Sequence, residues 1–300
     1  MTGTAKKFIP SDIYPFTPRR FSVDGHSLSY VDEGEGPVVL LLHGNPTWSF
    51  MYRRLIPVLS RNYRVIALDH LGCGLSDKPQ DFDYTLASHI KNVEALLDGL
   101  GITRFSLIMH DWGGAIGMGA AGRRADQVQS LVVMNTAAFR SHRIPLRIKI
   151  CRTPIVGTFF IRWMNIFAGA AIYIAVKKKM APEVAAGYLA PYDSWHNRIA
   201  IDRFVQDIPL SSRHVSWHTL SEVEKGLEQF KHTPMLLVWG GADFCFNRHF
   251  FKEWQQRFPH AQAYYYEDAG HYLMEDAFES IAPNITEFLA KTLGVPGDDV

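Results

Sequence analysis

The sequence predicts an α/β protein, a mostly parallel sheet covered by helices, with a helical segment inserted before its last strands. Two observations carry this. Short, wholly apolar runs alternate with stretches of helical spacing, the pattern of strands buried on both faces and joined by crossover helices. Between about residues 137 and 212 the strand signal stops, although helical and aromatic character continues.

In chain order, Phe21 to Val31 reads as a hairpin turning at Asp24-Gly25. Val38 to Leu42 is a continuous apolar strand running into His43-Gly44, and Tyr63 to Leu68 is another that ends at Asp69. Thr85 is placed to cap a helix carrying Leu86, Ile90, Val93, Leu97 and Leu100, with Gly101 as its stop. Arg104 to Met109 is a strand, and the small residues from Gly113 to Gly117 open a helix. Strands follow at Leu131 to Met134, Met235 to Trp239 and Ala261 to Tyr266, with a last helix from about Glu275 to Leu293. No internal repeat or low-complexity segment appears.

Three hundred residues, 47% of them hydrophobic, suffice for one large α/β domain with an insertion or for two smaller domains. A net charge of +1 gives no whole-chain reason to expect nucleic acid as a partner. Cys73, Cys151 and Cys245 are odd in number and far apart, so free thiols in a reducing compartment, the cytoplasm, are expected. Lys6 and Lys7 are followed by no apolar run, so no secretory signal is expected.

Ile155 to Val176 is apolar and near the length of a membrane span. Gly157, Arg162, Asn165 and Gly169 interrupt it, and a charge at that depth is costly in lipid, so a buried or substrate-facing segment is expected. In Arg140 to Arg152, basic residues alternate with apolar ones. That is first the pattern of a solvated helix face, and secondarily that of a segment resting on an anionic membrane or a partner enzyme.

The chemistry centres on His110-Asp111-Trp112. A strand, a sharp turn and a glycine-eased helix make a nucleophile elbow, and here its tip is an aspartate. A carboxylate there suits attack on a carbon that bears a leaving group, because the ester it forms can later be hydrolysed. Asp111, Asp243 and His271 each follow a predicted strand, where ligands gather in open α/β sheets. Nucleophile, acid, histidine is the chain order of α/β-hydrolases. In that arrangement Asp111 attacks, His271 takes a proton from water, and Asp243 orients the imidazole. The backbone N–H groups of Asn45 and Trp112 would form an oxyanion hole. Their side-chain N–H groups would steady a departing anion. Asn45 is otherwise a turn residue before Pro46. His214 and His218 have the spacing of a zinc pair, but Val215 stands where the catalytic glutamate would be, so they are expected on a helix surface. Gly72-Cys73-Gly74 lacks the third glycine of a dinucleotide fingerprint and reads as a turn. No cofactor and no metal is called for.

HGNPTW at 43–48, DHLGCGLSDKP at 69–79 and HDWGG at 110–114 resemble the haloalkane dehalogenase family of α/β-hydrolases, along nearly the whole chain. Asp243, in WGGADFCF, sets it apart from the branch with a glutamate after the sixth strand, a position that falls near Asn135. NTAAF at 135–139 and APYDSWHNRIAIDRFVQDIPL at 190–210 are similar to the third dehalogenase subfamily and its olefin-biosynthesis β-lactone decarboxylases. The resemblance implies an eight-stranded core from residues 1–136 and 213–300 and a helical cap at 137–212. It implies Asp111, His271 and Asp243 as the triad, with Asn45 and Trp112 as anion stabilisers. Met109, two before the nucleophile, is larger than a generic elbow carries, so Gly113 and Gly114 are expected to ease the turn.

Two reactions follow: displacement of halide from a haloalkane, and decarboxylation of a long-chain β-lactone to an alkene. The apolar cap (Phe159, Phe160, Trp163, Phe167, Tyr173) suits long aliphatic chains. Epoxide hydrolysis uses the same triad order, with cap tyrosines such as Tyr173, Tyr188 or Tyr192 as acids. From another class, the chain could serve as a non-enzymatic assembly subunit docking through Arg140 to Arg152.

Overall fold

A computed structural model describes residues 11–294; the start of the chain, on which the reading of Lys6 and Lys7 rests, lies outside it. Eight strands form one sheet in the order β1-β2-β4-β3-β5-β6-β7-β8. These are β1 (Arg19–Val23), β2 (His26–Glu33), β3 (Val38–Leu42), β4 (Arg64–Asp69), β5 (Phe105–Asp111), β6 (Val128–Thr136), β7 (Met235–Gly240) and β8 (Gln262–Tyr266). β1 and β2 pair antiparallel through the expected Asp24-Gly25 turn, and β2 lies antiparallel to β4. All further pairings are parallel.

Helices cover both faces, which is why the central strands read as unbroken apolar runs. Leu40 and Leu42 of β3 join one core cluster, while Val39 and Leu41 join the other. On the first face lie α2 (Leu86–Gly99), α3 (Trp112–Gly122) and α9 (Trp217–Gly226); on the second lie α1 (Leu55–Leu59) and α12 (Phe278–Leu293). Thr85 caps α2 as expected, its hydroxyl accepting from the Ser88 N–H at 3.3 Å. α10 (Arg248–Arg257) sits between β7 and β8 in the chain.

Between β6 and α9 every regular element is helical: α4 (Leu146–Cys151), α5 (Val156–Thr158), a π turn at Phe159–Trp163, α6 (Ile166–Ile174), α7 (Pro182–Leu189) and α8 (Ile199–Gln206), with two short 3-10 turns. The long apolar stretch is therefore broken, and its two helical parts meet at 72°. The break falls at Asn165, whose φ of 53° is left-handed. Among the described residues no single helix is long and apolar enough to cross a membrane.

Two expectations need correction. The last helix is interrupted at Ala277 (φ −137°), which separates α11 (Leu273–Asp276) from α12. Here the Asp276 carboxylate is drawn to the N–H groups of Gly270, Lys177 and Lys178, and a continuous helix gives way to that buried anchor. His214 precedes α9 in an irregular turn, held by Ser216 and the Gln206 carbonyl, so it shares no helix face with His218.

Candidate active site

β5 delivers Asp111 to the tip of the sheet, and α3 begins at the next residue. Asp111 has φ 52° and ψ −125°, a backbone that L-residues rarely adopt, and the surrounding packing holds it there. The expected easing glycines do this work. A Cβ at Gly113 would collide with the Leu42 carbonyl, and one at Gly114 with the Thr136 hydroxyl. The same hydroxyl donates to the Asp111 carbonyl. Bulky Met109 is accommodated because Gly117, one turn into α3, leaves room for its sulfur.

The two oxygens of the Asp111 carboxylate are inequivalent. Oδ1 accepts from the backbone N–H groups of Asn45 (2.8 Å) and Trp112 (2.6 Å). Oδ2 lies 3.5 Å from His271 Nε2, beyond a firm hydrogen bond. His271 Nδ1 in turn donates to Asp243 Oδ2 at 2.7 Å. Thus the three residues from β5, from the turn after β7 and from the turn after β8 meet in one buried array.

Charge in this array is set by burial and by neighbours. Burial pushes the Asp111 carboxyl above its ordinary value, opposed by His271 and the two backbone donors. Burial alone would depress His271, but the carboxylates of Asp243 and Asp111 outweigh it, and its pKa lies above that of a free histidine. His110, packed at 4.5 Å from the His271 ring, is held well below the ordinary value, first by burial and then by His271 itself. Its Nε2 meets the His271 carbonyl at 2.9 Å and braces the His271 backbone.

Asn135 at the end of β6 supplies a positioning contact whose position the sequence located without its role. Its amide donates to Asp243 Oδ2 (2.8 Å) and to the Gly240 carbonyl (3.0 Å), and accepts from the Gly240 N–H (2.7 Å). Where the β6–β7 ladder ends, this side chain continues it and holds the Asp243 carboxylate. Phe246 stacks on His271 at 5.9 Å. Neither contact leaves a sequence motif, because each pairs residues distant in the chain.

The turn after β3 is braced by His43, whose Nε2 accepts from the His70 N–H and whose Nδ1 donates to the Gly44 carbonyl. The Asn45 side chain donates to the Ile201 carbonyl of α8 at 3.1 Å, which commits one of its two amide hydrogens. The Trp112 indole N–H has no protein partner among the described residues and borders the pocket, its ring 5.3 Å from Phe204.

The pocket over this array has a volume of about 440 Å³. Asp111, His271, Asn45 and Trp112 form its floor, and aliphatic side chains such as Ile148, Ile166, Val205 and Ile208 form much of its wall. Of the aromatic cap residues expected to face substrate, Phe167 does so; Phe159, Trp163 and Tyr173 are instead 50–71% exposed on the outside. Tyr173, Tyr188 and Tyr192 all stand off the pocket wall. Tyr188 donates to Glu275 and Tyr192 to the Thr47 carbonyl. Among the described residues no group of three or more His, Cys, Asp or Glu side chains is arranged to hold a metal. Cys73, Cys151 and Cys245 are free thiols.

Comparison with known proteins agrees with this fold. The α/β hydrolase fold family matches residues 37–148. The chain is 42% identical to the cis-3-alkyl-4-alkyloxetan-2-one decarboxylase of Shewanella oneidensis, over 93% of this chain and 90% of that protein. It is also 42% identical to the same-named protein of Xanthomonas campestris, over 93% and 97%. Haloalkane dehalogenase 2 of Mycobacterium tuberculosis is 33% identical over 92% of this chain and 96% of its own length. Among solved structures, the haloalkane dehalogenase DbeA of Bradyrhizobium elkani superposes with a TM-score of 0.84 at 26% identity, covering 92% of this chain and 98% of that one. The chain belongs to the haloalkane dehalogenase family of α/β-hydrolases.

Proposed function

We propose that this enzyme uses Asp111 as a carbon-directed nucleophile on an apolar substrate, with a cis-3,4-dialkyl β-lactone as its natural substrate and haloalkanes as competent ones. The observation that carries this is the split of the Asp111 carboxylate. Oδ1 already occupies the two-donor site, while Oδ2 faces the apolar pocket beside His271. Attack through Oδ2 leaves Oδ1 as the ester carbonyl oxygen, with both backbone donors in place for the next oxyanion.

With a haloalkane, Oδ2 displaces halide, and the indole N–H of Trp112 with the second amide hydrogen of Asn45 steadies the departing ion. His271 then removes a proton from water, which attacks the ester and frees an alcohol; Asp243, fixed by Asn135, balances the imidazolium. With a β-lactone, Oδ2 attacks the saturated ring carbon bonded to the ring oxygen and breaks that carbon–oxygen bond, which opens the strained ring to a carboxylate. Loss of that group as carbon dioxide sends its bonding pair into a carbon–carbon double bond and expels Asp111, with no water consumed. The lactone is favoured because the 42% identical relatives carry decarboxylase names. On this reading residues 137–212 are the lid and residues 1–136 with 213–300 the catalytic core. The free thiols suit a reducing, cytoplasmic setting.

The deciding experiment presents a 1-bromoalkane, a terminal epoxide and a cis-dialkyl β-lactone in parallel, reading halide, diol and alkene. Alkene from the lactone, with slower halide release, is expected. Diol as the main product would replace this reading with epoxide hydrolysis, for which the three cap tyrosines are badly placed.

A further inference from the structure

The outer face of the helical segment is unlike the rest of the surface. Among the described residues twelve large hydrophobic side chains stand out as exposed, and ten of them lie between Leu146 and Ile174. Ile155 is 84% exposed, Leu146 72% and Trp163 66%. Soluble proteins scatter such residues singly, whereas their concentration in one segment marks a binding face.

Charge on this segment is as one-sided as its hydropathy. No aspartate or glutamate occurs between Asp126 and Glu183, while the same stretch carries five arginines and lysines from Arg140 to Arg152, then Arg162, then Lys177, Lys178 and Lys179. The chain as a whole is nearly neutral, so this cationic character is local. Arg140 pairs with Glu224 and Arg162 is buried, but Arg143, Arg147, Lys149 and the three lysines are exposed.

The pocket opens onto this same face. Ile150, Ile166 and Ile174 border the cavity and are also 39–53% exposed, and Arg143 and Arg147 stand beside them. A protein partner would be expected to meet charges of both signs on a face it recognises. A stretch that carries cations and no carboxylate of its own, apolar tips and outward Trp163 and Tyr173 has the composition of a membrane-interface element. Among the described residues no single helix is long and apolar enough to span, and the 72° bend between the two parts suits an element lying along the surface.

We propose that this outer face docks on an anionic lipid bilayer, with the pocket mouth turned toward the acyl chains. An apolar substrate dissolved in the membrane then enters the site without crossing water. Docking stands on exposure and charge; its value to catalysis rests on the apolar-substrate reading above.

The test floats the full-length protein with phosphatidylcholine vesicles, with and without phosphatidylglycerol. Wild type is expected to partition onto the anionic vesicles and to be released by salt. Ile155→Glu and Trp163→Glu put a charge on an exposed apolar tip, and Lys149→Glu reverses a surface cation. Each should lower partitioning about tenfold or more, given a factor of about five for each basic charge near an anionic surface. Melting temperature and turnover of a short bromoalkane in free solution should stay at wild-type levels. Absence of wild-type partitioning overturns the proposal, as does partitioning that ignores all three substitutions. A wild-type dimer in solution that these substitutions dissociate also overturns it, assigning the face to a second copy. Wild-type failure on the bromoalkane, with vesicle binding intact, would count against the catalytic reading and leave docking standing.

Discussion

Replacing His271 by alanine separates the two halves of the proposed haloalkane reaction. Alkylation needs Asp111 Oδ2, which no hydrogen bond restrains among the described residues, whereas hydrolysis of the ester needs a base for water. Loss of a positioned base costs roughly 10²- to 10⁴-fold, so the ester should outlive many alkylation times. A second effect follows from the charges. Among the groups that hold the buried Asp111 carboxyl down, His271 is the largest, and its removal lets burial push that carboxyl further up. Alkylation of the variant should therefore quicken as pH rises, because more Asp111 is ionised. Intact-protein mass spectrometry after mixing with a 1-bromoalkane reads both quantities: a stoichiometric alkyl adduct, mapped to Asp111 by peptide digestion, and its rate of formation against pH. The ring also packs against Phe246 and His110, so a cavity costing about 2 kcal/mol or more is expected, and His271→Gln serves as a better-filled second variant. Sustained turnover by both variants, or an adduct on a residue other than Asp111, would refute the mechanism.

Three further outcomes follow from the same geometry. In wild type, halide turnover that needs neutral His271 should rise through a pKa above the ordinary histidine value. Asp243→Ala should move that limb to lower pH, since Asp243 is the largest contributor raising it against burial; an unmoved limb would show that another group titrates. Trp112→Phe keeps a ring against Phe204 but removes the free indole N–H. Halide release should fall by roughly 10²- to 10³-fold, and an unchanged rate would remove Trp112 from anion binding. Asp207, buried between the Leu86 N–H and the Ser216 hydroxyl, is pushed up to about 7 by burial. Between its ordinary value and about 7 the folded chain keeps a proton that the unfolded chain has lost, so stability falls as pH rises, by at most about 1.4 kcal/mol per unit. Asp207→Asn should flatten this decline in urea unfolding measured across that range; an equal slope would assign the dependence elsewhere.

The sheet and the elbow were legible because they depend on local pattern. β3 reads as a strand from its five apolar residues, and the turn at Asp111 from the glycines that follow it. The order Asp111, Asp243, His271 was legible because chain order survives folding. What stayed hidden depends on contacts between distant residues. Asn135 grips Asp243 across 108 positions, and Asp276 draws in backbone from Lys177 and Lys178. The direction in which cap aromatics point was misread for a related reason. Helical spacing shows that Phe159 and Trp163 share a segment, but which side faces the pocket depends on the break at Asn165.

The inequivalence of the Asp111 oxygens has an isotopic consequence. If Oδ2 makes the bond to carbon and water then attacks the ester, the alcohol departs with the oxygen that belonged to the protein. The water oxygen stays behind in the carboxylate. In heavy-oxygen water the first alcohol released would thus be light, with label appearing in product only from later turnovers. The decarboxylation route breaks the bond between Oδ2 and carbon without water, so Asp111 would keep both of its original oxygens through every cycle. The oxygen content of one aspartate therefore records which of the two reactions the enzyme has been running.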